Sequence, residues 1–199
     1  MYNLSTYSSS ELELDITSYM KPLEVHKVLS AYEMAEHVHQ FQIRNDNSSY
    51  FYHCARVCKI VVKELSIFDP DLLIAALTHD ILEDSKDLTH EVLAYNFGAY
   101  AAYIVQVLTK DLQKHILDPD TVEKEHIQLL NQSTTDCLII KLAARLDNFR
   151  CLDFNLKKNP LTYVNKTTDL YLPLADASNN EHLFVLASEI RKERNKFLG

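Results

Sequence analysis

The stretch LTHDILEDS, residues 77–85, places one histidine and three carboxylates at the end of an apolar segment. The residues before it, LLIAAL, are all apolar, which predicts a buried helix that carries the polar cluster to the edge of the core. On a continuous helix, His79 and Asp80 lie about 100° apart, while Glu83 and Asp84 follow one turn later on the same broad face. The stretch therefore predicts a helical core with a polar site at its edge.

The cluster suits a bound cation. Three carboxylates this close together repel one another unless a cation or a proton neutralises them. Imidazole together with carboxylate oxygens favours a divalent ion such as Mn²⁺ over Zn²⁺, Fe²⁺ or Mg²⁺. We therefore predict that His79 and Asp80 are metal ligands and that Glu83 and Asp84 act on a bound water. The alternative is a solvated helix end with a chance His-Asp neighbour.

Apolar residues recur at three- and four-residue steps along most of the chain, which predicts an all-α fold. The polar segment RNDNSSY, residues 44–50, predicts a loop. Residues 1–20 are a candidate loose N-terminal segment, and residues 21–199 are predicted to form one domain. The predicted helices span residues 22–40, 53–66, 70–83, 89–96, 99–109, 121–131, 134–150, 160–177 and 181–197.

Composition excludes several classes of protein. The chain carries a net charge of −8, which argues against broad binding to nucleic acid or to anionic membranes. Its two glycines cannot build a glycine-rich phosphate loop or a dinucleotide-binding fingerprint. No apolar run has the length of a membrane span and no leader-like start is present, so we expect a cytoplasmic protein. The four cysteines are expected to be buried thiols rather than disulfides or zinc ligands.

Six landmarks occur in a fixed order along the chain: HQFQIR, YFYHCARVCKIV, LTHDILEDS, FGAYAAYIVQVLTK, IKLAARLDNFR and YLPLA. With these landmarks the sequence resembles the HD-domain hydrolases, specifically the hydrolase domain of the RelA/SpoT family and the small alarmone hydrolases. The resemblance implies an HD-domain helical bundle that holds Mn²⁺. It also implies removal of the 3′-pyrophosphate from guanosine tetra- and pentaphosphate, so the expected partner is a small phosphorylated nucleotide.

The resemblance assigns residues by position. It implies that His53, His79 and Asp80 are metal ligands and that Glu83 and Asp84 activate or position the water. Such a water is a usable nucleophile near neutral pH, and an adjacent carboxylate can accept its proton. The resemblance also implies that Arg44 lies at the substrate mouth and Asn148 near the nucleotide. Tyr50, Lys110 and Lys141 are further predicted substrate-binding residues. Arg44 can bind a phosphate with two parallel hydrogen bonds, whereas Lys110 can equally well cap a helix C-terminus.

The chain departs from the family pattern at a metal ligand. The family motif reads KLADRL, whereas this chain reads KLAARL, which puts Ala144 where the family has a ligand aspartate. Asp147 follows three residues later, displaced about 60° around the helix and about 4.5 Å along it. We expect Asp147 to face solvent or to pair with Arg145 or Arg150, and metal ligation by Asp147 is the alternative.

Two rival functions remain open because of these departures. The loop NDNSSY after Arg44 differs from the family pattern, which leaves room for an HD phosphohydrolase acting on another nucleotide, such as a nucleoside phosphate or NADPH. The substitution at Ala144 leaves room for a degenerate HD domain that binds a nucleotide or a partner without turnover.

Overall fold

The computed structural model describes residues 6–44, 47–85, 87–152 and 159–199. These residues form helices, with one isolated antiparallel bridge between Ile43 and Ser49. Within this described part, no helix combines the length and apolar character needed to span a membrane. The helices are α1 Ser9–Ile16, α2 Pro22–Val38, α3 Phe51–Lys59, α4 Pro70–Thr78, α5 Ile81–Asp84, α6 His90–Phe97, α7 Ala99–Leu108, α8 Leu112–Leu117, α9 Pro119–Gln132, α10 Thr135–Arg150, α11 Pro160–Lys166, α12 Leu172–Ala177 and α13 Glu181–Leu198.

Helix α4 lies at the centre of the bundle. Asp69 caps its first turn by accepting hydrogen bonds from the backbone N–H groups of Asp71 and Leu72, and Pro70 is the first helical residue. The segment from Leu72 to Thr78 is buried on all sides, and α4 packs against α2, α3, α7 and α10. The apolar run LLIAAL therefore forms core structure, as the sequence predicts.

The helix predicted over residues 70–83 is interrupted at the HD pair. Helix α4 ends at Thr78 and α5 begins at Ile81, so His79 and Asp80 lie at the junction between the two helices. At this end Nδ1 of His79 bonds the carbonyl oxygen of Ala76, which a C-terminal helical turn leaves without a backbone partner. The interruption brings both side chains to the edge of the core.

Two further predicted helices contain a wider, π-helical turn. Helix α3 continues through Ile60–Glu64, and Thr167–Tyr171 joins α11 to α12. Apolar periodicity predicts these segments as continuous helices, because a single π-helical turn does not interrupt the apolar face. Such turns are frequent at functional sites.

A helix forms in the segment that the sequence leaves as loose. Helix α1 begins with a capping box between Ser8 and Glu11, and its Leu12 and Ile16 are fully buried. The prediction missed this helix because only two apolar residues, spaced by four, reach the core among many polar ones. Residues 1–5 lie outside the described residues, and the division of the chain into domains stays a prediction. Helix α8 was also not predicted.

All four cysteines are free and buried. Burial raises the pKa of the Cys58 thiol, so this thiol stays protonated near neutral pH. The prediction of buried thiols is confirmed.

Candidate active site and metal centre

Three predicted metal ligands come together between α3 and the junction of α4 and α5. One ligand atom from each of His53, His79 and Asp80 lies within 4.8 Å of the other two. Nε2 of His79 is 3.2 Å from Oδ2 of Asp80, and Nε2 of His53 is 3.9 Å from the same oxygen. Both histidines are buried. No fourth His, Cys, Asp or Glu joins this cluster among the residues that the structure describes.

The donor set fits a divalent ion. A carbonyl oxygen can only accept, so the 2.9 Å contact with Ala76 places a proton on Nδ1 of His79, and in the neutral ring Nε2 then carries the lone pair. Burial, together with the charge of Arg44, lowers the pKa of His53 to about 4, so this imidazole is neutral near pH 7. Two neutral imidazoles and one carboxylate are ligands that Mn²⁺, Fe²⁺ and Zn²⁺ all accept.

The charges at the centre are strongly coupled. Burial would raise the pKa of Asp80, but the charge of His79 and the hydrogen bond with it hold that pKa well below its usual value. Burial would lower the pKa of His79, but the Asp80 carboxylate prevails and raises it. A proton on His79 and a metal ion are therefore competitors for the same position beside Asp80.

Ala144 and Asp147 lie on α10, which packs against α3. Ala144 is buried and offers only a methyl group. The prediction that Asp147 faces solvent is wrong, because its exposed fraction is 0%. Its carboxylate lies 2.7 Å from Nδ1 of His53 and accepts a 2.6 Å hydrogen bond from Nε of Arg56.

The arginines that were expected to pair with Asp147 have other acidic partners. Arg145 donates to Glu123 at 3.2 Å, and Arg150 donates to both carboxylate oxygens of Glu64 at 2.6 and 2.8 Å. The buried partner of Asp147 that the sequence did not suggest is Arg56, whose exposed fraction is 1%.

The two acidic residues after the HD pair differ in their surroundings. Oε1 of Glu83 accepts a 2.7 Å hydrogen bond from the backbone N–H of Lys110, and this carboxylate is half-buried. Burial and the charge of Asp80 raise the pKa of Glu83. Asp84 lies nearer the surface, 3.6 Å from Nδ1 of His39, and its pKa is raised by the same two causes. Both carboxylates are therefore better proton acceptors than ordinary surface ones.

Three of the predicted substrate residues line one side of the cluster. Arg44 donates a 2.6 Å hydrogen bond to Oδ1 of Asn148, and the Tyr50 hydroxyl donates a 2.6 Å hydrogen bond to Oδ2 of Asp80. The Arg44 guanidinium carbon lies 5.9 Å from the centre of the Tyr50 ring. The first two residues of the divergent loop, 45 and 46, lie outside the described residues.

The two predicted lysines belong to a group of buried and half-buried charges. Nζ of Lys110 donates a 2.8 Å hydrogen bond to Glu123, which also binds Arg145 and the Tyr171 hydroxyl. Lys141 is half-buried, and burial, followed by the charges of Lys110 and Arg145, lowers its pKa to about 8. The sequence indicated neither Glu123 nor Arg145 as part of this group.

The helical bundle, with a histidine, an HD pair and further carboxylates at one edge, defines the HD class of domain. A model of the family described as HD domain matches residues 31–179, and the chain belongs to this family. The fold prediction is thereby confirmed.

Several relatives within the family carry names that refer to one activity. The chain is 28% identical over 174 residues to the guanosine-3′,5′-bis(diphosphate) 3′-pyrophosphohydrolase of Aquifex aeolicus, covering 86% of this chain and 25% of the relative. It is 29% identical over 180 residues to the corresponding enzyme MESH1 of Drosophila melanogaster, covering 84% of this chain and 94% of that protein. It thus spans about a quarter of the Aquifex aeolicus and Escherichia coli relatives but nearly all of the Drosophila one.

A solved structure shows the same architecture. It is that of a metazoan ortholog of SpoT that hydrolyses ppGpp, with a TM-score of 0.74 and 26% sequence identity. The match covers 88% of this chain and 97% of that one.

Proposed function

We propose that this protein is a metal-dependent phosphohydrolase that removes the 3′-pyrophosphate from (p)ppGpp or a related phosphorylated nucleotide. The observation that carries the proposal is the convergence of one ligand atom each from His53, His79 and Asp80 within 4.8 Å. The names of the relatives from Aquifex aeolicus and Drosophila melanogaster support the substrate. A cytoplasmic location belongs to the same proposal and is supported by the four free thiols.

In the proposed site His53, His79 and Asp80 hold Mn²⁺. Mn²⁺ accepts both imidazole and carboxylate ligands, which supports it over ions that prefer all-oxygen sites. When bound, the ion would neutralise charge on phosphoryl oxygens and acidify a water molecule. The Tyr50 hydroxyl, which donates to Oδ2 of Asp80, helps to orient that ligand.

We assign the proton-accepting role to Glu83. Its raised pKa brings it closer to neutral pH, where a general base is most effective. The hydrogen bond from the backbone of Lys110 fixes one carboxylate oxygen, so the side chain is held next to the charge of Asp80. Asp84, nearer the surface, is assigned to positioning the water or the substrate.

The proposed substrate residues supply positive charge and polar contacts around the ligand cluster. Arg44, oriented by its 2.6 Å bond to Asn148, would bind a phosphate, and Tyr50 would border the nucleotide. Lys110 and Lys141 would meet the pyrophosphate charge, because both lie close enough to Glu83 to be influenced by it. The low pKa of Lys141 reflects burial and, after it, the nearby charges of Lys110 and Arg145, and an anionic substrate would relieve this crowding of positive charge.

A non-catalytic HD domain is the second candidate. It is favoured by Ala144, whose methyl group cannot coordinate a metal, and by the three-residue ligand cluster in the described part of the chain. Divalent ions can complete their coordination with water, so three protein ligands are compatible with a working site.

A substrate panel tests the proposal. Phosphate and pyrophosphate release would be measured from ppGpp, GTP and NADPH, each with Mn²⁺ and with chelator. We expect Mn²⁺-dependent release of pyrophosphate from ppGpp that is lost in His79→Ala. Release from NADPH or GTP alone would favour another HD phosphohydrolase, and no release from any compound would favour the non-catalytic domain.

A further inference from the structure

We infer that Asp147 is a positioning residue, which holds His53 in the tautomer that binds metal and is itself held by Arg56. This inference rests on the metal site of the proposed function. It gives a role to the carboxylate of α10 that does not require metal ligation.

The first step is the contact between Asp147 and the ring of His53. Oδ2 of Asp147 lies 2.7 Å from Nδ1 of His53, while Nε2 of the same ring faces Asp80 at 3.9 Å. An ionised carboxylate can only accept, so the proton of the neutral imidazole lies on Nδ1. The lone pair is then on Nε2, on the side of the ring where the other two ligand atoms lie.

The second step is the ionisation of Asp147. Asp147 and Arg56 are both buried, and the permanently charged guanidinium of Arg56 lies against the Asp147 carboxylate, which favours the ionised form of that carboxylate. The guanidinium donates from Nε to Oδ1 at 2.6 Å and from a terminal nitrogen to Oδ2 at 3.1 Å. This two-point contact fixes the plane of the carboxylate as well as its charge.

The third step separates this role from ligation. Oδ2 of Asp147 contacts Nδ1 of His53, whereas Nε2, on the opposite edge of the same ring, faces Asp80. Asp147 is accordingly not a member of the three-residue cluster. The same oxygen also lies 3.4 Å from Arg44, so one carboxylate links a metal ligand to the arginine at the substrate side.

Tautomers can be read directly in the wild-type protein. Long-range ¹H–¹⁵N spectra of ¹⁵N-histidine-labelled, metal-free protein near pH 7 would distinguish a protonated from an unprotonated ring nitrogen, with His53 assigned by comparison with His53→Gln. We expect Nδ1 of His53 to be protonated and Nε2 unprotonated. The opposite tautomer of His53, or rapid exchange between the two tautomers, would overturn the inference. This test needs no substitution of Asp147.

Metal affinity provides the second test. The double variant Arg56→Leu/Asp147→Leu removes both charges of this pair, so neither of them is buried without the other. Removing the hydrogen-bond partner of a metal-ligating histidine typically weakens metal affinity by about 10- to 100-fold. We expect a decrease of this size in the Mn²⁺ affinity of the double variant, measured by calorimetric titration. The matched control is Glu64→Gln. It disrupts the carboxylate–arginine pair of Glu64 and Arg150, which also joins the continuation of α3 to α10 but contacts no ligand histidine. This variant should bind Mn²⁺ as the wild type does.

The outcomes separate this inference from the function on which it rests. Absence of Mn²⁺ binding by the wild-type protein would contradict the proposed function. Normal binding by the wild type and unchanged affinity in a folded double variant would contradict the role of Asp147 alone. If circular dichroism shows that the double variant does not fold, the wild-type histidine spectrum decides.

Discussion

Replacing Arg56 measures how much the buried ion pair between α3 and α10 contributes to the free energy of unfolding. The exposed fraction of Arg56 is 1% and that of Asp147 is 0%, so water cannot replace a lost partner. The variant Arg56→Leu leaves the Asp147 carboxylate buried without the donors at 2.6 and 3.1 Å. Breaking one side of a buried pair costs about 3–5 kcal/mol, and we expect a loss of this size in the free energy of unfolding.

The companion variant Asp147→Leu should cost a similar amount, because it removes the carboxylate that the buried Arg56 guanidinium contacts at 2.6 and 3.1 Å. The double variant should lose about 2–3 kcal/mol less than the sum of the two single losses, since both charges are then absent. Urea unfolding in chelator, followed by far-ultraviolet circular dichroism, measures all three variants. The control Glu64→Gln affects a partly exposed pair and should lose no more than about 1 kcal/mol. Additive losses, or a single loss below about 1 kcal/mol for Arg56→Leu, would refute the assigned energetics.

Three further predictions concern other parts of the molecule. Glu83→Gln should lower kcat by about 10²- to 10⁴-fold, because a general base is lost, while calorimetry shows unchanged Mn²⁺ affinity. Burial, followed by the charge of Lys141, lowers the pKa of His126 from 6.5 to about 2. Below pH 6.5 the unfolded chain therefore binds a proton at His126 that the folded chain does not. The free energy of unfolding consequently falls as the pH falls. His126→Gln should therefore lose about 2 kcal/mol less unfolding free energy between pH 7 and pH 5 than the wild type in urea titrations. Leu12→Ala should lower the unfolding free energy by about 2–5 kcal/mol, because this fully buried side chain fixes α1 to the core.

Each of these has a contradicting result. Full activity in Glu83→Gln would move the proton-accepting role to another group, and a parallel loss of Mn²⁺ affinity would indicate a ligand role instead. An unchanged pH dependence in His126→Gln would show that this histidine is protonated in the folded state. A loss below about 1 kcal/mol in Leu12→Ala would mean that α1 contributes little to the stability of the domain.

Helical periodicity was a sufficient guide to most of the fold. The 3.6-residue pattern predicts the long helices because each has a continuous apolar face. It cannot predict the interruption at His79 and Asp80, since side-chain hydrogen bonding at a helix end leaves the apolar pattern before it unchanged. Helix α1 was not predicted because it is short and only two of its side chains, Leu12 and Ile16, are buried.

The site could be predicted only as far as its residues stand in recognisable stretches. His53, His79 and Asp80 were predicted and come together, as the family resemblance implies. The prediction for Asp147 was wrong because its displacement from Ala144 along and around the helix does not reveal which neighbouring helix its side chain faces. A usable signal was the charged Arg56 inside the apolar helix YFYHCARVCK, since a buried arginine needs a buried acidic partner. The sequence does not indicate which acid provides it, because the partner lies 91 residues away.

The most direct test of the central claim is ³¹P NMR of ppGpp incubated with the purified protein. Four conditions are compared: wild type with Mn²⁺, wild type with chelator, His79→Ala with Mn²⁺, and the control His182→Ala on α13 with Mn²⁺. A metal-dependent site built from His53, His79 and Asp80 predicts the appearance of pyrophosphate and guanosine 5′-diphosphate in the first and last conditions only. Unchanged ppGpp in the presence of wild-type protein and saturating Mn²⁺, or equal turnover by His79→Ala, would contradict it.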